Sequence, residues 1–135
     1  MFSSLEQKVD ISKAIEIATQ ISPILLTAGE EYRELDRGVD VKTEIVRRVN
    51  PPYLRTRLSI EGPTDYGEEF IIDADGTKVH MPNPNYMKEK YAPGKVPKSE
   101  IGYIVAIDRA LKALIGMGFR QQDANDYSID LVRQS

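Results

Sequence analysis

The chain has 135 residues, 41% of them hydrophobic and 29% charged, with a net charge of −3, and is expected to form one domain around a single modest core. It has no cysteine and one histidine, His80, which excludes disulfides, thiolate metal sites, cysteine nucleophiles and multi-histidine zinc sites within these residues. No apolar run approaches the roughly 20 residues of a membrane span, and MFSSLEQKVD lacks the layout of a signal peptide, so no membrane association and a cytoplasmic setting are expected.

In VDISKAIEIATQISPILLTAGEEYREL, Ile11, Ile15, Ala18 and Leu25 recur at helical spacing and are expected on one face of an N-terminal helix. Pro23 follows Ser22, a capping residue, so the segment reads as a kinked helix or as two consecutive helices. From residue 39 the period changes. VDVKTEIVRRV mixes β-branched residues with charges, and after the Pro51-Pro52 break YLRTRLSI alternates, with Leu54, Thr56, Leu58 and Ile60 on one face and Arg55, Arg57 and Ser59 on the other. EEFIID and TKVHMP follow, joined by ADG, whose glycine suits a tight turn. Short connections make these four strands an antiparallel meander. PNPNYMKEKYAPGKVPK, with four prolines, reads as a long loop. Ser99 can cap a helix lined on one side by Ile101, Ile104, Ile107, Leu111 and Leu114, with Asp108 and Lys112 paired on the other and Gly116 or Gly118 at its end. A last helix over residues 121 to 133 would bury Ala124, Tyr127 and Leu131. The expected fold is therefore α+β: an N-terminal helix, a four-stranded antiparallel meander and two C-terminal helices.

Several short motifs fail on spacing. DADGT has glycine at position 4, where an EF-hand needs it at 6, and reads as a hairpin turn. GPTDYGEE has the glycine spacing of a phosphate loop but places acidic residues where lysine and serine or threonine would bind. No GxSxG surrounds any serine. Asp65, Glu69, Asp73 and Lys78 raise a metal-dependent nuclease, yet Asp75 to Lys78 is one residue longer than the usual D/E-x-K, and a one-residue slip reverses a strand face. No metal or other cofactor is expected.

Charge is more informative. Residues 37 to 60 carry +4 and residues 78 to 98 carry +4, flanking an acidic block of −6 over residues 61 to 77. The basic blocks hold Arg47, Arg48, Arg55 and Arg57, then Tyr86, Lys88, Lys90, Tyr91 and Lys95, an interleaving of cations and aromatics that suits phosphates and unstacked bases of a single strand. These nine residues are the candidate nucleic-acid-binding set.

ALIGMGF resembles the Met-Gly-aromatic loop of ubiquitin-associated domains, a docking surface; the same letters also describe a helix-ending glycine followed by a phenylalanine packed into the core. The longer run KSEIGYIVAIDRALKALIGMGF, residues 98 to 119, resembles a segment of phage single-strand annealing proteins, the Erf and Rad52-like group, which often reads ETSAIGRALxxLGYG. Ala106, Ile107, Arg109, Ala110, Leu111 and Leu114 match, while Asp108 stands for the family's glycine and Ile115 acts as an insertion. The resemblance implies a β-meander followed by a long supporting helix, single-stranded DNA in a basic groove, a homo-oligomer and no catalysis. The leading expectation is thus a non-catalytic single-stranded nucleic-acid-binding protein of recombination or annealing type. A protein interaction module or virion component is the alternative, and the nuclease a third.

Overall fold

The computed structural model describes residues 10–31, 40–49, 52–61 and 67–134. Helix α1 (Ser12–Glu31) is followed by β1 (Asp40–Val49), β2 (Pro52–Glu61), β3 (Gly67–Asp73) and β4 (Lys78–Pro82). A short helix α2 (Pro84–Glu89), the long helix α3 (Lys98–Gly116), and strands β5 (Arg120–Ala124) and β6 (Ser128–Val132) complete the chain. All strands join one antiparallel six-stranded sheet in the order β1-β2-β3-β4-β6-β5.

The expected layout is corrected at its C-terminus. Four strands and two C-terminal helices were anticipated, but residues 120 to 132 form a hairpin that extends the meander through β6 against β4. Tyr127 is 77% exposed and Ala124 is exposed, so the helical face proposed for them does not exist. Ile129 and Leu131 instead alternate with Ser128, Asp130 and Val132, and both are buried. Asn125 shapes the turn: its side-chain oxygen accepts from the amides of Tyr127 at 2.8 Å and Ser128 at 2.9 Å, and its own amide donates to Ser128 O. The proline-rich segment, expected as loop throughout, begins with α2, whose second residue's amide donates to Asn83 Oδ1 at 3.0 Å.

One contiguous core lies between the sheet and the two long helices. α1 contributes Ala14, Ile17, Ala18, Ile21, Leu25 and Ala28, a stripe rotated from the expected one, since Ile15 is 42% exposed. One helix runs through Pro23, which is exposed. The donor that proline lacks would have met the carbonyl of Thr19, which is an exposed residue. α3 buries Tyr103, Ile104, Ala106, Ile107, Ala110 and Leu114 and packs along α1. Its start is Pro97 with no side-chain cap rather than Ser99, whose side chain lies outside the described residues. Arg109 on α3 donates to both carboxylate oxygens of Glu31 at the end of α1, at 2.7 and 3.2 Å.

The end of α3 decides between the two readings of ALIGMGF. Met117 is the C-cap, Gly118 has φ +99°, its amide donates to Ile115 O, and the Phe119 amide donates to Leu114 O at 3.1 Å. These are the two bonds of a Schellman motif, and Phe119, 3% exposed, packs in the same core as Leu114. Arg133 closes this corner: its guanidinium lies 4.7 Å over the Phe119 ring and donates to Gly76 O and Met117 O. Gly76, at φ +71°, turns β3 into β4 so close to α1 that an added Cβ would stand 2.8 Å from Lys13 Cβ.

Candidate functional site

Thr56, Leu58 and Ile60 of β2 are fully buried beneath the helices, so Arg55 and Arg57, which alternate with them, stand on the opposite, open face. Register carries that face across the sheet. Arg57 is opposite Glu44 on β1, Arg55 is opposite Asp73 on β3, Ile71 on β3 is opposite His80 on β4, and His80 is opposite Asp130 on β6. Arg48 and Lys42 share the face, being opposite Tyr53 and Ser59.

The charge blocks of the sequence meet here. Folding the meander lays the acidic block beside the first basic one, so opposite charges pair laterally. Arg55 Nε lies 2.8 Å from Asp73, and Arg57 bridges Glu44 and Glu69, the latter at 3.4 Å. His80 Nδ1 lies 2.6 Å from Asp130 Oδ1. Between these pairs runs an open groove of ≈ 440 Å³. Arg55, Asp73, Lys78, His80, Asp130 and Gln122 supply its polar groups, and Ile71 and Val132 its apolar surface.

The nine candidate residues are divided between two layers. Arg48, Arg55 and Arg57 lie on the open face, whereas Arg47, opposite Leu54, falls on the other side of β1. Lys88 on α2 reaches Asp108 of α3 at 3.2 Å, and Tyr91 donates its hydroxyl to Glu100 of α3. That bond to a carboxylate, with some burial, raises the Tyr91 pKa. Lys90 stands 5.4 Å from the centre of the Tyr91 ring, and Lys95 is exposed in the loop beyond. Tyr86 belongs to α2, with its side chain outside the described residues. The tyrosine-lysine segment therefore docks on α3, in the helical layer, while the arginine strand faces the other way.

Asp108 carries two cations, Lys88 and Lys112, the second at 3.1 Å. Burial pushes its carboxyl up, but the two lysines together outweigh that and hold it low. In the β3–β4 turn, Asp75 accepts from the hydroxyl and amide of Thr77, which lowers its pKa and uses the carboxylate as a turn brace.

For the nuclease reading, Glu69 and Asp73 each face an arginine, and Asp65 lies outside the described residues, as do the other residues of 62–66 in GPTDYGEE. No group of three or more His, Asp or Glu side chains placed to hold a metal ion occurs among the described residues. None of their helices is long and apolar enough to cross a membrane.

Sequence reasoning did not assemble the groove. His80 entered it only as the sole histidine, and Asp130 was assigned to a helix. The alternation in SIDLV was the available signal, since it places Asp130 one step from two buried residues. Comparison of the chain with protein-family models, with characterised proteins and with solved structures gave no match, so the resemblance to annealing proteins rests on residues 98 to 119 themselves.

Proposed function

We propose that the chain binds single-stranded nucleic acid on the open face of its sheet, without chemistry of its own. The observation that carries this reading is the placement of Arg48, Arg55 and Arg57, with Lys42 and Lys78, on one sheet face that the described helices leave open, spanning β1, β2 and β4. Each cation is long enough to reach solvent, and Arg55 and Arg57 keep 39 and 34% of their side chains exposed although they are paired. A phosphate oxygen competes for the same guanidinium edges as Asp73, Glu44 and Glu69, so binding is modest and strongly salt-dependent. Ile71, half-buried at the centre of the face, offers an apolar platform between the charges.

The finer reading, a cytoplasmic, homo-oligomeric annealing factor of phage type, is supported by the residues of α3 that resemble that group. Ala106, Ala110 and Leu114 are buried, and Arg109 ties α3 to α1, the supporting role that the resemblance implies for this helix.

Fluorescence anisotropy with a labelled oligothymidylate tests the proposal. Replacing Arg55 and Arg57 together by glutamine is expected to lower the slope of log affinity against log salt by about 1.4, at about 0.7 per phosphate contact on a single strand. Replacing Lys90 and Lys95 by glutamine leaves that slope unchanged, because they belong to the other layer. Absence of binding by folded, micromolar protein in low salt rejects the reading and leaves the interaction module as the better account.

A further inference from the structure

The open-face groove contains more than paired arginines. Arg55 and Asp73 satisfy one another at 2.8 Å, and the Asp130 carboxylate is engaged by His80 at 2.6 Å. Two groups keep hydrogen-bonding capacity toward the groove. Lys78, exposed on β4, has a charge interaction with Asp75 but no hydrogen bond or ion pair among the described residues. His80 makes its one contact through Nδ1, which leaves Nε2 without a protein partner there. Lys78 and His80 are two residues apart on one strand and so share a face, with side chains on the order of 7 Å apart at their bases, a span one phosphate group can bridge.

The Asp130 contact decides what Nε2 can do. A carboxylate that accepts from Nδ1 puts the proton of the neutral imidazole on that nitrogen, so Nε2 is then an acceptor and disfavours an oxyanion. When the ring takes a second proton, Nε2 becomes a charged donor. The other charged groups facing His80 are Lys78 on its own strand, Asp73 on β3, Arg55 on β2 and, through the register with Asp130, Asp123 on β5.

We infer that this groove is a proton-linked subsite for a phosphate oxyanion, bound between Lys78 and protonated His80, with Asp130 orienting the imidazole. The subsite deepens the nucleic-acid reading, but its chemistry is shared by a phosphodiester within a strand and by the phosphomonoester of a free nucleotide. Protonation of His80 adds one charge-assisted contact, so affinity for a phosphodiester, whose own charge is constant, rises about tenfold or more as pH falls and the ring gains its proton.

Because His80 is the only histidine, its imidazole resonances report the subsite directly in the intact chain by nuclear magnetic resonance. Oligothymidylate and adenosine monophosphate are titrated separately. Movement of the His80 resonances is expected for whichever source fits, and Lys78→Gln reduces it. Oligothymidylate binding is also measured by anisotropy for the wild type and for His80→Gln, which should lose the pH dependence but retain binding near pH 8. If neither compound moves the His80 resonances, the subsite is rejected, and strand binding by anisotropy in the same sample would leave the broader function standing. If adenosine monophosphate moves them while no strand binds, the subsite stands and the nucleic-acid reading falls. A strand that binds His80→Gln with the wild-type pH dependence overturns the inference.

Discussion

On the single strand β2, Thr56, Leu58 and Ile60 are fully buried, while Arg55 and Arg57, one position away from them, keep about a third of their side chains in solvent. The same pleat thus builds two unlike surfaces. The helix-covered face is held by apolar burial, which is large and insensitive to salt. The open face is held by lateral ion pairs whose net contribution is small, which leaves their charges available for exchange with a ligand. Stability and recognition are therefore separated by a single step along the chain, and substitutions should sort by face rather than by position in sequence.

The largest test of that separation lies at the end of α3. Phe119→Ala should cost about 3 to 5 kcal/mol in denaturant unfolding, whereas Ile115→Ala, four residues earlier and 54% exposed, should change stability by under about 0.5 kcal/mol. Equal effects would show that Phe119 does not contribute to the core as its burial implies. Next in size, Gly118→Ala forces a side chain into a left-handed conformation at φ +99° and should cost about 1 to 2 kcal/mol, with nothing nearby to add a steric clash.

A smaller effect of opposite sign is expected inside the covered face. Among the described residues the buried Thr56 hydroxyl has no hydrogen-bond partner, so Thr56→Val should raise stability by about 1 kcal/mol at nearly unchanged volume. A loss would reveal a partner for the hydroxyl that the apolar surroundings conceal.

The smallest effect is electrostatic. Asp10, Glu31, Asp75 and Asp108 all have lowered pKa values: the Ser12 amide lowers that of Asp10, and the Arg109 guanidinium that of Glu31. A carboxyl whose folded pKa lies below its unfolded value contributes stability above the unfolded value and loses it as pH falls through the folded one. Unfolding should therefore become easier below about pH 4. Arg109→Gln should make that acid limb slightly shallower, since it frees Glu31, an exposed group whose pair is screened. Thermal melts across the acid range would show it, and an unchanged limb would place the pH dependence on the other three carboxylates.

Local patterns were sufficient where a segment's neighbours lie close in sequence. The alternation of YLRTRLSI assigned both faces of β2 correctly, ADG marked the β3–β4 turn, and the run from Ile101 to Leu114 marked α3, because hairpin pairing and helical periodicity act over a few residues. Long-range pairing decided the rest. β6 needs β4 as its partner, and their contact joins His80 to a residue 50 positions later, so RQQDANDYSIDLVR resolves as a hairpin only beside an open sheet edge. The buried stripe of α1 was likewise selected by packing, since Ile15 and Ile17 are equally apolar and only docking against the sheet and α3 decides which turns inward. The candidate site shows the same division: its cations were visible as basic blocks, but their separation into an open sheet face and a helical layer, and the groove around His80, exist only once the acidic block is folded between them.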